Sequence, residues 1–400
     1  MHLHRGTRRA LAAGVALCLL AAACGGDDDD SSDAAPETGT DAEAGAFAAE
    51  HYTTDLSEDC PDPIIVQKDW LAEAEHAAMY QLIGAGAEME QNAYRGPLGS
   101  TGVDLEILDG GPGLGDGITT VSSLYAGNLV QGKEPMLAFV GTDDAAQFSE
   151  QFPVTAVVAP LNKAPTMLMY DPETYEGLET VDDVIATEAD LYVTTKSQTY
   201  VQYLIGQGIP EDRFIEGYTG DKERFITSGG SLINQGYVSN EVYSYEHETE
   251  TWNKPVAYVL VNDLGYQPYP SALSVRTDKL EEYSPCLEKL VPLMQQAQAD
   301  FMADPAEVND LLTRYNPDYS APFWFTSEGL SDAAVDVMQS EGIVADGPEG
   351  LGSFDMDRMQ NLIDILVPIF ADQDIDTYDP AVTPEMIVTN EFIDPGITLG

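Results

Sequence analysis

Over its 400 residues the chain carries 69 acidic against 17 basic side chains, a formal net charge of −52 at pH 7. That balance excludes nucleic acid as a partner, because neutralising phosphates needs Lys and Arg. It also disfavours anionic ligands outside a locally positive site, and the scarcity of lysine fits adaptation to high salt, where screening removes self-repulsion.

Arg5, Arg8 and Arg9 precede an apolar stretch from Leu11 to Ala23. It is too short to span a bilayer comfortably and is built like a signal peptide, predicted as residues 1–23. Leu20-Ala21-Ala22-Ala23-Cys24 resembles the bacterial lipobox, with Ala21 where Leu is usual. The resemblance implies that Cys24 is acylated and that the chain is held by lipid on the extracytoplasmic face of the cell membrane. Thr7-Arg8-Arg9-Ala10-Leu11 also resembles a twin-arginine signal, so both export routes stay open. Residues 24–59 read as an acidic, disordered tether, because Gly25 to Ala49 lacks the apolar content to fold.

Beyond the tether, β and α signals alternate, predicting α/β architecture with parallel sheets. Ile64-Ile65-Val66 opens the first strand, followed by a helix from Ala72 to about Met89. Val103 to Leu108 is a strand, Gly110 to Gly117 a glycine-rich turn, and Val121, Leu124 and Tyr125 mark a helix. Further strands are Met136 to Val140, Val154 to Ala159, Leu191 to Val193, Val256 to Val261 and Ala272 to Val275. Helices are expected at Lys279 to Met302, Asp332 to Ser340 and Met356 to Phe370. Thr166 to Tyr170 and Tyr266 to Ser274 read as crossings between two lobes. Lobe one then comprises residues 60–168 and 272–400, and lobe two 169–271. Ligands in such folds sit between lobes at the carboxyl ends of strands, and closure is a hinge motion. With Cys18 in the signal and Cys24 acylated, Cys60 and Cys286 remain in one lobe in an oxidising compartment. A disulfide is expected, two buried thiols being the alternative.

Asp69-Trp70-Leu71-Ala72-Glu73-Ala74-Glu75-His76, with Tyr80 a turn later, stands where the first strand gives way to a helix. A helix start offers free N–H groups there. The string is similar to the D-W-x₅-H-x₃-Y element of the periplasmic binding proteins for the thiamine pyrimidine precursor and of the related pyrimidine synthase. Further matches follow in order: Leu108-Asp109-Gly110-Gly111-Pro112 with G-G-P, Gly177 to Asp183 with the start of the second lobe, and Gly236-Tyr237-Val238-Ser239-Asn240-Glu241 with G-Y-x-x-N-E. Gly352 to Arg358 resembles G-x-x-D-x-x-R, and Thr389-Asn390-Glu391-Phe392 resembles T-N-E-F. The resemblance spans residues 64 to 394. It implies a two-lobed periplasmic-binding-protein type II fold, with two mixed sheets flanked by helices and joined by a two-strand hinge. It also implies a monomeric solute-binding lipoprotein that hands a small heterocycle to ABC permease subunits. The chain departs from the family where a G-Y-F turn is usual: Gly84 to Gly102 carries Asn92-Ala93-Tyr94-Arg95-Gly96-Pro97, an altered loop beside the cleft.

A flat aminopyrimidine suits these residues. Trp70 with Tyr80 or Tyr237 can stack on its faces, while Asn240 and Glu241 can hold exocyclic amines and ring nitrogens. Thr142 and Asp143 would add a hydroxyl and an acceptor, and Gly111 and His76 complete the set. Trp70 and Tyr80 also fit a plain core, and His76 also fits a helix-start bond. So acidic a cleft favours a cationic or amine-bearing ligand. Riboflavin is an alternative; sulfonate, taurine or nitrate rank lower, because basic residues near the lining are few (Lys68, Lys163, Lys196). The pyrimidine synthase reading lacks that enzyme's C-C-C-F-C cluster, and a sensory lipoprotein is a third reading. The chain has no nucleophile elbow or P-loop, and Gly111 to Gly115 lacks dinucleotide spacing. No enzymatic activity, cofactor or metal is expected, the mature histidines His51, His76 and His247 being scattered.

Overall fold

The computed structural model describes residues 41–84, 87–90, 92–114, 117–128, 131–319 and 326–400. The signal peptide, Cys24, the tether up to residue 40 and Gly115 lie outside them.

Strands β1 (Ile64–Gln67), β2 (Glu88–Glu90), β3 (Ala93–Pro97), β4 (Asp104–Leu108), β5 (Leu137–Val140) and β6 (Val154–Val158) belong to a first sheet. A second sheet takes β7 (Thr166–Tyr170), β8 (Leu191–Val193), β9 (Phe214–Glu216), β10 (Ile233–Tyr237) and β11 (Ala257–Leu260). The chain then returns to the first with β12 (Ala272–Arg276). The orders are β2-β3-β4-β1-β5-β12-β6 and β11-β7-β10-β8-β9. Both sheets are mixed: β1 runs parallel to β4 and β5, and β8 to β9 and β10, whereas β12 and β7 run antiparallel to both their neighbours.

Strands covered on both faces read as unbroken apolar runs, and β5, Leu-Ala-Phe-Val, is such a run. Successive side chains point to opposite faces, so Leu137 and Phe139 join one apolar cluster while Ala138 and Val140 join another. The helix Leu280–Ala303 covers the first face with Leu287, Leu290, Val291 and Met294. The helix Met356–Asp372 covers the second with Met359, Leu362, Ile363 and Leu366. Each side chain so buried contributes about 1.5–3 kcal/mol. Cys60 and Cys286 form a disulfide that ties the segment before β1 to the first of these helices.

Four expectations are corrected. The tether does not run to residue 59: residues Asp41–His51 are helical, and Ala48, Tyr52 and Leu56 are buried against the body. A few well-spaced apolar residues anchor a stretch whose average composition is polar. The helix expected from Ala72 to Met89 is only Ala77–Gln81 preceded by one 3₁₀ turn, because Gly84 takes a positive φ of 74° and the chain reverses there. The altered loop is not a loop: β2 and β3 form an antiparallel pair that extends the first sheet, with Met89 opposite Tyr94. Finally, Thr166–Tyr170 is no crossing but an interior strand of the second sheet, paired on both edges. Residues 159–165 and 261–271 connect the sheets instead.

One side chain pins both connections. The Arg358 guanidinium lies 3.8 Å from the Tyr269 ring centroid. It donates to the carbonyls of Gln267 and Pro268 at 2.9 and 2.7 Å and to Asn162 Oδ1 at 3.2 Å. Asp355 starts the same helix by accepting from the backbone N–H of Asp357 and Arg358.

Candidate functional site

The carboxyl ends of β1 and β4 are stitched together before any functional group appears. Gln67 Nε2 donates to the carbonyls of Lys68 and Asp109, both at 2.9 Å. Lys68, with no exposed side-chain area, lies 2.7 Å from Asp109 and donates to the Tyr80 hydroxyl at 2.7 Å. Two backbone bonds, Gly110 N–H to Trp70 and Gly111 N–H to Asp69, then lock the loops after both strands. Gly111 has a φ of +52°, and a Cβ there would lie 2.6 Å from the Trp70 ring. Only glycine allows the backbone to support the indole so closely. Trp70 itself stays 38% exposed.

From this base the next turn presents carboxylates. Asp69 accepts from His76 Nε2 at 2.6 Å and from Ser271 at 2.5 Å. Glu75 accepts from Ser239, which follows β10 in the second sheet. Across from them, Tyr237 ends β10 and is 42% exposed. Glu241 caps that turn, with Oε1 accepting from the Tyr218 hydroxyl at 2.5 Å and Oε2 from the Tyr237 N–H at 2.8 Å. On another side, Asp143 Oδ2 accepts from Tyr266 at 2.7 Å and from Thr199 at 3.1 Å. The pairs Glu75–Ser239 and Asp143–Thr199 therefore join segments that follow strands of the two sheets.

These groups feel one another. Burial, then repulsion from Glu75 and Asp69, pushes the Glu73 carboxyl well above its usual range, and Glu241 adds to it. Burial also raises Glu241, against the bonds from Tyr218 and Tyr237. Burial opposes ionisation of Asp69, but the His76 charge and the bonds from His76 and Ser271 outweigh it, so that carboxyl sits low. The Tyr237 phenol is pushed up to about 12 by burial, then by Glu241 and Glu73. Tyr237 keeps 42% of its area accessible, so water reaches the phenol and moderates these influences.

Several expected ligand contacts are reassigned. Tyr80 is fully buried among Tyr94 and Tyr315, so its ring offers no face to a ligand. Thr142 is also fully buried, and its hydroxyl accepts from the Tyr269 N–H. His76 is buried and set between Asp69 and Glu73. Glu241 uses both oxygens to position the β10 turn beside the half-buried Asn240. Trp70 and Tyr237 are two of the three exposed large hydrophobics among the described residues. Glu73 and Glu75, inside the quoted string, were overlooked although two glutamates between a Trp and a His are themselves a signal. Tyr218, Ser239 and Ser271 carried no local signal. A separate cavity of about 770 Å³, lined by Pro153, Val154, Leu280, Met356 and Met386, contains none of these residues.

No family model and no curated protein matches the chain by sequence. Solved structures do match. A ligand-binding component of an ABC-type import system from Staphylococcus aureus, solved with zinc bound, aligns with a TM-score of 0.51 at 12% identity, covering 85% of this chain and 100% of that one. The periplasmic sulfonate-binding protein from Methylobacillus flagellatus gives 0.52 at 12% identity over 83% and 93%. The aliphatic sulphonate binding protein from Escherichia coli gives 0.51 at 9% identity over 82% and 92%. The fold is that of the periplasmic binding proteins. Trp70 follows the carboxyl end of β1, and Tyr237 ends β10. Among the described residues no group of three His, Cys, Asp or Glu side chains is arranged to hold a metal.

Proposed function

We propose that this chain is an exported, lipid-anchored binding protein that captures a small flat heterocycle and delivers it, as a monomer, to an ABC importer by closing two lobes over it. The observation that carries the reading is the pair of half-open aromatic rings, Trp70 and Tyr237, at the ends of β1 and β10. Both rings keep accessible area on which a planar guest can stack. The thiamine pyrimidine precursor, an aminopyrimidine, is the ligand supported by the ordered motif resemblance. A sulfonate is the second reading, favoured by the two sulfonate-binding neighbours. The bridges Glu75–Ser239 and Asp143–Thr199 support a closing motion, since each joins segments that follow strands of different sheets.

A thermal-shift screen of the mature chain at high salt, against pyrimidines, flavins and sulfonates, tests this. A ligand at about 100 times its dissociation constant stabilises by about 2.7 kcal/mol. Trp70→Ala is expected to weaken binding by about 1–3 kcal/mol, the range for losing a stacked aromatic platform, while leaving the fold intact. Undiminished affinity in that variant refutes the stacking role, and a response to taurine alone favours the second reading.

A further inference from the structure

Resting on the solute-capture reading, we propose that the helix Glu328–Ser340 is a strap that holds the parts built on the two sheets shut before any solute binds, so that a solute enters only when the strap lets go. The helix comes after β12 in the chain and packs on the helix Ala306–Tyr319 and on the turn Ala74–His76, a few residues beyond Trp70. Both of its ends are nevertheless tied to the stretch between the end of β10 and the end of β11. At the start, Ser327 caps the helix by accepting from the Leu330 N–H at 3.1 Å, and the same hydroxyl donates to Glu248 Oε1 at 2.5 Å. At the finish, the C-capping residue Glu341 accepts from the hydroxyl of Tyr258, on β11, at 2.7 Å. At a rise of 1.5 Å per residue the two anchors stand about 20 Å apart. One bond would leave the helix free to pivot; two at that spacing fix its direction.

The packing is an independent observation. Glycine weakens a helix relative to alanine, yet Gly329 stands in the first turn. A Cβ there would run into the Tyr243 hydroxyl and lie 2.9 Å from Cζ of that ring. The missing side chain lets a ring from the turn after β10 rest against the helix backbone. On the inner face, Ala334, Val335 and Met338 belong to the apolar cluster that also takes Leu137 and Phe139 of β5 and Met167, Met169 and Leu260 of β7 and β11. That cluster runs from one sheet to the other with the strap inside it.

The chemistry of the ties suits this chain. Four bonds join the chain around the first sheet to the chain around the second: Ser239 to Glu75, Thr199 to Asp143, Ser327 to Glu248 and Tyr258 to Glu341. Each runs from a neutral hydroxyl to a carboxylate, and neither Lys nor Arg takes part. With 17 basic residues against 69 acidic ones, bases for ion pairs are scarce, and salt screens exposed charges from each other. A hydroxyl donor carries no charge to be screened, so these ties hold in high salt.

The test uses the mature chain without solute, read by hydrogen–deuterium exchange and small-angle X-ray scattering. Glu248→Ala/Tyr258→Phe removes both of the strap's ties and leaves the helix and its cap unaltered. Exchange is expected to rise on the order of 10-fold at residues 237–248 and 328–341, the size of one charged hydrogen bond, with the helix Leu280–Ala303 unchanged. Gly329→Phe drives a ring into the Tyr243 contact and should enlarge the radius of gyration, while the native chain stays compact. Unchanged exchange in the double variant overturns the strap, whether or not the wedged variant folds, and so does a native chain already as extended as the wedged one. Exchange and scattering as expected, with no solute bound in the thermal-shift screen, would overturn solute capture and leave the strap standing.

Discussion

Removing the Lys68 ammonium with Lys68→Met keeps most of the stem volume and isolates one electrostatic term. Lys68 and Asp109 are 2.7 Å apart, and neither side chain has any exposed area. Without the lysine, the Asp109 carboxylate stays buried, helped by the Tyr315 hydroxyl at 3.2 Å. Losing one partner of a buried pair costs about 3–5 kcal/mol, about a fifth or more of the roughly 5–15 kcal/mol that hold a typical domain. Removing both charges in Lys68→Met/Asp109→Leu is expected to recover most of the loss, because a buried pair and an apolar replacement are often nearly equal in stability. Denaturant unfolding with a constant slope is the assay. The Lys68→Met loss should persist at about 1 M salt, since buried pairs are little screened. A loss below about 1 kcal/mol, or a double variant as unstable as the two single losses summed, would refute the reasoning.

Two other expectations concern the frame around the cleft. Arg358→Lys keeps the charge but loses the planar fork that reaches two carbonyls and stacks on Tyr269; unfolding should show a loss of about 1–3 kcal/mol, and a loss within error would deny that both connections depend on this side chain. Reducing the Cys60–Cys286 bond, which spans 226 residues, should lower stability by about 2–5 kcal/mol, the long loop setting the upper end; an unchanged unfolding midpoint under reductant would contradict this.

The alternation of apolar strands and amphipathic helices was readable along the chain, because burial on two faces leaves unbroken runs such as β5 and helical stripes such as Leu287, Leu290, Val291 and Met294. The position of Trp70 was equally legible, since the strand before it and the glycines after β4 belong to local patterns. The short helix at Ala77–Gln81 was misjudged because helical composition continues past Gly84 while the backbone there turns left-handed. The β2–β3 pair was missed because strands of three and five residues leave little periodicity.

Sequence alone determined the acidic balance, the α/β alternation and the aromatic–histidine element, since each is a property of composition or of neighbours within one or two turns. The tertiary structure decided which of those residues are buried and which stay exposed. Tyr80 and Thr142 turned inward, where their hydroxyls accept from the buried Lys68 and from Tyr269 in the connection between the sheets. Glu75 and Asp69 take hydroxyl donors from Ser239 and Ser271, 164 and 202 residues away. Hydrogen bonds between residues so far apart follow from how the sheets pack, and no local pattern records them.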